Sequence, residues 1–302
     1  MLLLSYTTDT ESDLTWGVQT DERTVLALPQ LAARSGRELP GTLLEFIRGG
    51  GNSAELRTLL DDAAADDLAA VSRPIDSVHV RAPLRPGKIV GVGLNYVEHV
   101  EESARTLDTA NQLPERPVLF SKPGTAVVGP GDPIEHNANL TEQLDWEVEL
   151  AVVIGRTARR VAVSDALEHV FGYSITNDIS ARDQRRSGQW FYSKGQDSYA
   201  PLGPVVLTAD ELPDPQTLSL SLTVNGVQKQ SGNTKHMLFP VAELIADISA
   251  GMTLEPGDVI ATGSPQGVGA AQIPPQFLQP GDVVAATIEG IGTLRNPVVD
   301  AR

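Results

Sequence analysis

Leu144-Asp145-Trp146-Glu147-Val148-Glu149-Leu150-Ala151-Val152-Val153-Ile154 reads as a buried β-strand that carries two glutamates one residue apart. Side chains alternate across a strand, so Glu147 and Glu149 share a face with Ala151 and Val153. Trp146, Val148, Leu150 and Val152 take the other face. Two carboxylates taken out of water lose hydration and repel one another, so both stay ionised only where a cation is supplied. A divalent metal would do this. The plainer alternative is an edge strand whose glutamates face solvent and pair with Arg156, Arg159 or Arg160. A second apolar run, Phe171-Gly172-Tyr173-Ser174-Ile175-Thr176-Asn177, ends in Asp178 and is followed by Ser180-Ala181-Arg182-Asp183. Asp178 at the end of a neighbouring strand could complete a three-carboxylate site.

The bulk composition narrows the chemistry. The 302 residues are enough for two domains and a sizeable core. With no cysteine, disulfides and thiolate metal sites are excluded, and oxygen or imidazole must hold any metal. Hard ions follow: Mg²⁺, Mn²⁺ or Ca²⁺. A formal net charge of -16 with scattered basic residues argues against nucleic acid and anionic membranes as partners. Met1-Leu2-Leu3-Leu4 is too short for the apolar region of a signal peptide, and no run approaches the length needed to span a bilayer. The expectation is a cytoplasmic protein.

Along the chain, residues 1–80 read as a small α+β domain. Trp16–Thr20 and Thr24–Leu28 flank Asp21-Glu22-Arg23 as a hairpin. Helical patterns follow at Leu28–Arg34, Thr42–Arg48 and Ser53–Ala65, the last with Ser53 as N-cap. A proline-spaced connector leads into residues 81–302, where short strands and Pro-Gly-Asp turns dominate and Asn225-Gly226 signals a type I′ hairpin. Helices are expected there at Ser164–Val170 and Pro240–Ala250, with Pro240 at N1 and Gly251 at C′. The body is therefore strand-rich α+β, not an alternating βαβ chain.

Two glycine-rich stretches are not nucleotide sites. In Gly91-Val92-Gly93-Leu94-Asn95-Tyr96 a tyrosine occupies the third glycine position of a dinucleotide fingerprint. Gly263-Ser264-Pro265-Gln266-Gly267-Val268-Gly269 lacks the Lys-Ser/Thr of a P-loop and reads as a tight turn whose N–H groups could meet a ligand carboxylate. His99 and Glu102, three apart, would lie on one face of a helical turn. A carboxylate beside an imidazole fixes its tautomer and raises its basicity, as a general base needs. A solvated charged helix shows the same spacing.

Taken in order, the GVGLNY stretch at 91–96 leading to His99 and Glu102, Phe120-Ser121-Lys122-Pro123, Glu147-Val148-Glu149-Leu150, Asn177–Asp183, Lys194 and Pro256–Gly269 resemble the fumarylacetoacetate hydrolase family, on its acylpyruvase and 2-hydroxyhepta-2,4-diene-1,7-dioate isomerase-like branch. The resemblance runs from about residue 85 to the C-terminus. It implies a mixed β-roll or β-sandwich catalytic domain, a homodimer, and Mg²⁺ or Mn²⁺ held by Glu147, Glu149 and Asp178. It further implies that His99 and Glu102 sit on a lid, that Lys194 and Arg182 face the ligand, and that Lys122, Thr262 and Gly263 are candidates for substrate contact. One departure stands out: similar members place a glutamine three residues after the arginine, where this chain has Arg185 and puts Gln184 one position earlier. A one-residue shift on a helix turns a side chain by about 100°.

The chemistry expected from this resemblance is hydrolysis of a carbon–carbon bond in a 2,4-diketo acid of the acylpyruvate type. His99, oriented by Glu102, would activate water, and the metal and Lys194 would stabilise the departing enolate. Decarboxylation of an oxaloacetate-type acid, and isomerase or lyase chemistry, share that enolate. A non-catalytic metabolite-binding protein is the reading from a different class, against which the presence of His99 and Glu102 argues.

Overall fold

Local capping chemistry sets the N-terminal region of the computed structural model, which describes residues 1–9, 13–98, 102 and 113–301. Its elements are β1 (Leu2–Thr7), β2 (Thr15–Asp21), β3 (Thr24–Ala27), α1 (Leu28–Arg34), α2 (Leu43–Arg48), α3 (Ser53–Asp61), α4 (Ala65–Val71), β4 (Ser72–Pro74) and β5 (His79–Arg81). The β2–β3 hairpin and α1 stand where the sequence predicts them. At α2, Thr42 and Glu45 form a reciprocal capping box. At α3 the cap is Asn52, not Ser53, because the Asn52 side chain accepts from the Glu55 N–H at 3.1 Å. The helix expected through Ala65 stops at Asp61. Asp61 and Asp62 are unfavourable at a helix C-terminus, whereas Asp66 and Asp67 suit the first turn of a new helix.

The body contains β6 (Ile89–Gly93), β7 (Val118–Lys122), β8 (Val127–Val128), β9 (Ile134–His136), β10 (Leu144–Asp145), β11 (Val148–Ile154), β12 (Val170–Asn177), β13 (Ser180–Ala181), α5 (Trp190–Lys194) and β14 (Ala200–Thr208). It continues with β15 (Ser219–Val224), β16 (Val227–Asn233), α6 (Val241–Gly251), β17 (Val259–Ala261), β18 (Val283–Ile288) and β19 (Gly292–Asp300). Asn225 and Gly226 both have positive φ, 52° and 78°, as the type I′ turn between β15 and β16 requires. Residues 163–169 wind as 3₁₀ rather than α-helix. Pro240 is extended, with ψ 158°, so it caps α6 instead of opening it, and Gly251 is the last helical residue, not C′.

The main sheet runs β4-β3-β2-β1-β14-β12-β11-β17-β6-β7, and a second runs β16-β15-β18-β19-β9. Both are mixed: most pairs are antiparallel, while β17 runs parallel to β6 and β9 parallel to β19. The second sheet packs across β11 and β12. The fold is thus the expected α+β sandwich of mixed sheets. Through β1, which pairs with β14, the hydrogen bonding continues across the compositional boundary near residue 80. Among the described residues no helix is long and apolar enough to cross a membrane.

β11 lies between β12 and β17, and every residue in it is buried. A solvated edge strand paired with Arg156, Arg159 or Arg160 is therefore ruled out. Both faces of β11 are covered, so the glutamates find their partners inside the protein.

Candidate metal centre

Register builds the acidic trio. β11 and β12 pair antiparallel, with Val148 opposite Asn177 and Glu149 opposite Thr176, so Glu147 just before β11 meets Asp178 just after β12. The join is stitched by the Asp178 N–H donating to the Glu147 carbonyl at 2.8 Å and the Glu147 N–H donating to Asn177 Oδ1 at 2.9 Å. One carboxylate oxygen from each of Glu147, Glu149 and Asp178 lies within 4.8 Å of the others, and all three residues are buried. Three hard oxygens converging at that spacing fit a hard divalent cation.

The surrounding residues hold two of the three carboxylates rigidly. Arg182 donates from Nη2 to Glu147 Oε1 at 2.6 Å and from Nε to Asp145 Oδ2 at 2.8 Å. Lys194, at the end of α5, donates to Glu147 Oε2 at 2.8 Å and Ser180 Oγ at 2.9 Å, and also contacts Asp178 Oδ2. Lys122 lies 2.6 Å from Asp178 Oδ1 and donates to the carbonyls of Tyr199 at 2.6 Å, Ile179 at 3.1 Å and Lys194. Glu149 is held differently: Oε2 accepts from the Gly263 N–H at 2.9 Å. Thr262 faces the strand, its N–H and hydroxyl both donating to the Leu150 carbonyl.

The turn at 263–269 thus meets carboxylates of the protein itself. Gly263 meets Glu149, and the Gly267 N–H donates to both oxygens of Glu102, at 2.9 and 3.1 Å. His99 lies outside the described residues. Arg182 pairs with Asp145 and Glu147, whereas Asp183 instead accepts from Thr141 Oγ1 and the Glu142 N–H. The guanidinium of Arg185, the residue that departs from the usual glutamine, sits 5.0 Å from the Trp190 ring centroid.

Sequence reasoning overlooked Asp145. It is fully buried, and besides Arg182 it accepts from the N–H groups of Trp146 (2.8 Å), Gly269 (2.6 Å) and Ala270 (3.0 Å). Its signal was present: Asp145, Glu147 and Glu149 share one parity in an otherwise apolar run. Asn177 was also overlooked, because an amide at a strand end resembles any turn residue.

The electrostatics of the trio favour a cation among its carboxylates. Burial, then the charges of Asp178 and Glu147, push the Glu149 carboxyl well above its ordinary range. Burial also raises Asp178, partly offset by Lys122 and Lys194. Burial works against the Lys194 ammonium, yet Asp178 and Glu147 outweigh it and raise its pKa. Lys122 is shifted downward by burial.

At ordinary charges, the carboxylates of Asp145, Glu147, Glu149 and Asp178 outnumber the cations of Arg182, Lys194 and Lys122 by one. A dication would turn that deficit into a single positive excess, which favours an anionic ligand.

A pH dependence follows with a definite sign. A carboxyl raised on folding binds its proton more tightly in the native state, so metal-free stability declines as pH rises from the ordinary glutamate range toward the raised value. Cation binding requires the ionised form and competes with that proton. The rise in Tm produced by Mn²⁺ should therefore grow as pH increases and vanish toward acid, as measured by differential scanning fluorimetry. A Mn²⁺ shift independent of pH would refute this.

Mixed sheets enclosing a buried trio of oxygen ligands define a class of metal-dependent enzymes. The chain belongs to the fumarylacetoacetate hydrolase family: residues 88–299 match the family model described as "Fumarylacetoacetate (FAA) hydrolase C-terminal". It is 42% identical over 266 residues to the oxaloacetate tautomerase YisK of Bacillus subtilis, covering 86% of this chain and 87% of that one. Among solved structures, fumarylacetoacetate hydrolase from Exiguobacterium antarcticum superposes with a TM-score of 0.83 at 40% identity, covering 100% of both chains. The 2-hydroxyhepta-2,4-diene-1,7-dioate isomerase of Mycobacterium marinum superposes with a TM-score of 0.75 at 35% identity, covering 99% of this chain and 98% of that one.

Proposed function

We propose that this protein interconverts the keto and enol forms of a small 2-oxo acid of the oxaloacetate type, using a divalent cation held by Glu147, Glu149 and Asp178. The observation that carries this reading is the Lys194 side chain placed among those carboxylates, its Nζ 2.8 Å from Glu147 Oε2. Bound there, Mg²⁺ or Mn²⁺ would polarise the 2-oxo group and stabilise negative charge on its oxygen.

Lys194 then supplies a positive charge beside the reacting oxygen, its ammonium favoured by the Asp178 and Glu147 carboxylates. Arg182 and Lys194 each bond a different oxygen of Glu147, so that ligand cannot swing away. Lys122 restrains Asp178 in the same way. The Gly263 N–H orients Glu149. His99 with Glu102 is the proposed proton-carrying pair. The oxaloacetate tautomerase activity named for YisK of Bacillus subtilis supports the choice of substrate class.

Hydrolysis of acylpyruvates is the second reading. It is favoured by Glu102, whose carboxylate is anchored on the Gly267 N–H and could orient His99 toward water. The two readings diverge in assay. With Mn²⁺, decay of the enol absorbance of oxaloacetate should accelerate with enzyme and return to the uncatalysed rate after chelation. Cleavage of an acylpyruvate to two acids with no effect on oxaloacetate enol decay would establish the hydrolase instead, and stoichiometric CO₂ from oxaloacetate a decarboxylase.

A further inference from the structure

A buried hydroxyl that the proposed chemistry has not used belongs to the segment fastened onto the turn that holds Glu149. Tyr96 is 1% exposed, and among the described residues its Oη has no hydrogen-bond partner. Its position is tightly determined. Next to it, Asn95 donates from Nδ2 to the carbonyls of Thr262 (2.8 Å) and Phe239 (3.1 Å) and accepts from the Phe239 N–H at 2.8 Å. Tyr96 itself bridges to Met237, and Leu94 holds a positive φ of 58° to turn the chain there.

Gly263 permits this approach, since a Cβ on it would fall 2.7 Å from Asn95 Cβ. The same glycine donates its N–H to Glu149. Tyr96 is thus pinned to the turn that orients a metal ligand, and its phenol feels the Glu149 charge.

A buried hydroxyl without a partner costs free energy, and the phenyl ring of phenylalanine would fill the same space without that cost. We propose that the Tyr96 hydroxyl donates a hydrogen bond to the oxygen of the bound 2-oxo acid on which negative charge grows during enolisation. Tyr96 therefore belongs to the catalytic residues, alongside Lys194. Burial and then the Glu149 charge raise the phenol pKa far above its ordinary value, so the group stays neutral and acts as a donor, not a base. A neutral donor suits the place, because the nearby carboxylates would oppose a phenolate. This inference rests on the reading of the trio as a 2-oxo acid site.

The test is Tyr96→Phe, examined with and without Mn²⁺. A purely structural tyrosine and a ligand-binding one give opposite results. The variant should keep, or slightly raise, the metal-free Tm and should show the wild-type Tm shift with Mn²⁺ alone. Its kcat for oxaloacetate enolisation should fall by about a hundredfold with KM changed far less, the pattern of an interaction made mainly in the transition state. The further Tm shift caused by oxalate, a planar stand-in for the enolate oxygens, should shrink.

Wild-type kcat and a wild-type oxalate shift in the variant would overturn the assignment, as would a loss of metal-free stability. If the wild-type protein does not turn over oxaloacetate, the proposed substrate falls. The oxalate shift then decides Tyr96 alone.

Discussion

Glu149→Gln should lower metal-dependent turnover by about a thousandfold or more while leaving the metal-free protein as stable as the wild type or more so. The two halves of this result come from the same physics. A cation that polarises an oxo group contributes several kcal/mol to the transition state, and each 1.36 kcal/mol is roughly a factor of ten in rate.

In the metal-free protein, Glu149 is a liability. Burial and the charges of Asp178 and Glu147 oppose its ionisation, and among the described residues the Gly263 N–H is the one hydrogen-bond donor that reaches it. Glutamine keeps an acceptor for that N–H and offers an amide to the neighbouring carboxylates. The wild-type stability lost as pH rises above the ordinary glutamate range should be smaller in the variant. Thermal melts across pH, with and without Mn²⁺, alongside turnover, measure both halves. A variant that binds Mn²⁺ normally would dismiss Glu149 as a ligand.

Asp145→Ala should be the most damaging change to the fold, with a loss of about 3–5 kcal/mol, the usual result of removing one partner of a buried ion pair. Arg182 would keep its bond to Glu147 but lose the one to Asp145, and the N–H groups of Gly269 and Ala270 would lose their acceptor. The damage spreads to function because Glu147 is aimed by Arg182. Mn²⁺ affinity should fall together with stability. Urea denaturation of the metal-free protein gives the size of the effect. Adding Arg182→Met to Asp145→Ala should recover part of the stability, since no buried guanidinium is then left short of a partner, although Mn²⁺ affinity should stay low. If the single variant unfolds at the wild-type urea concentration, Asp145 is not the anchor.

Much of the site was readable before any coordinates. Alternation alone put Glu147 and Glu149 on one face, and the end of the next apolar run put Asp178 within reach, because strand geometry has a strict period of two. The hairpin turn at Asn225-Gly226 and the body's strand-rich character followed from turn chemistry that acts over a few residues. Helix ends were less legible. Asn52 rather than Ser53 caps α3, and Asp61 ends it, because neighbouring residues compete for the same N–H groups and only backbone geometry decides between them.

What the chain order by itself determined, then, was the kind of ligand atoms available and which of them share a strand face. Tertiary structure alone decided which charges meet. Arg182, Lys194 and Lys122 come from three separate segments, yet their side chains end on one cluster of carboxylates, Asp145, Glu147 and Asp178, while the 263–269 turn reaches Asp145 and Glu149. Tyr96 likewise reads as a failed nucleotide motif until Asn95 and Gly263 fasten its segment to the turn that holds Glu149. The physical reason is range: side-chain alternation acts between adjacent residues, whereas pairing of buried charges depends on sheet order and on desolvation, which exist only once the chain has closed around them.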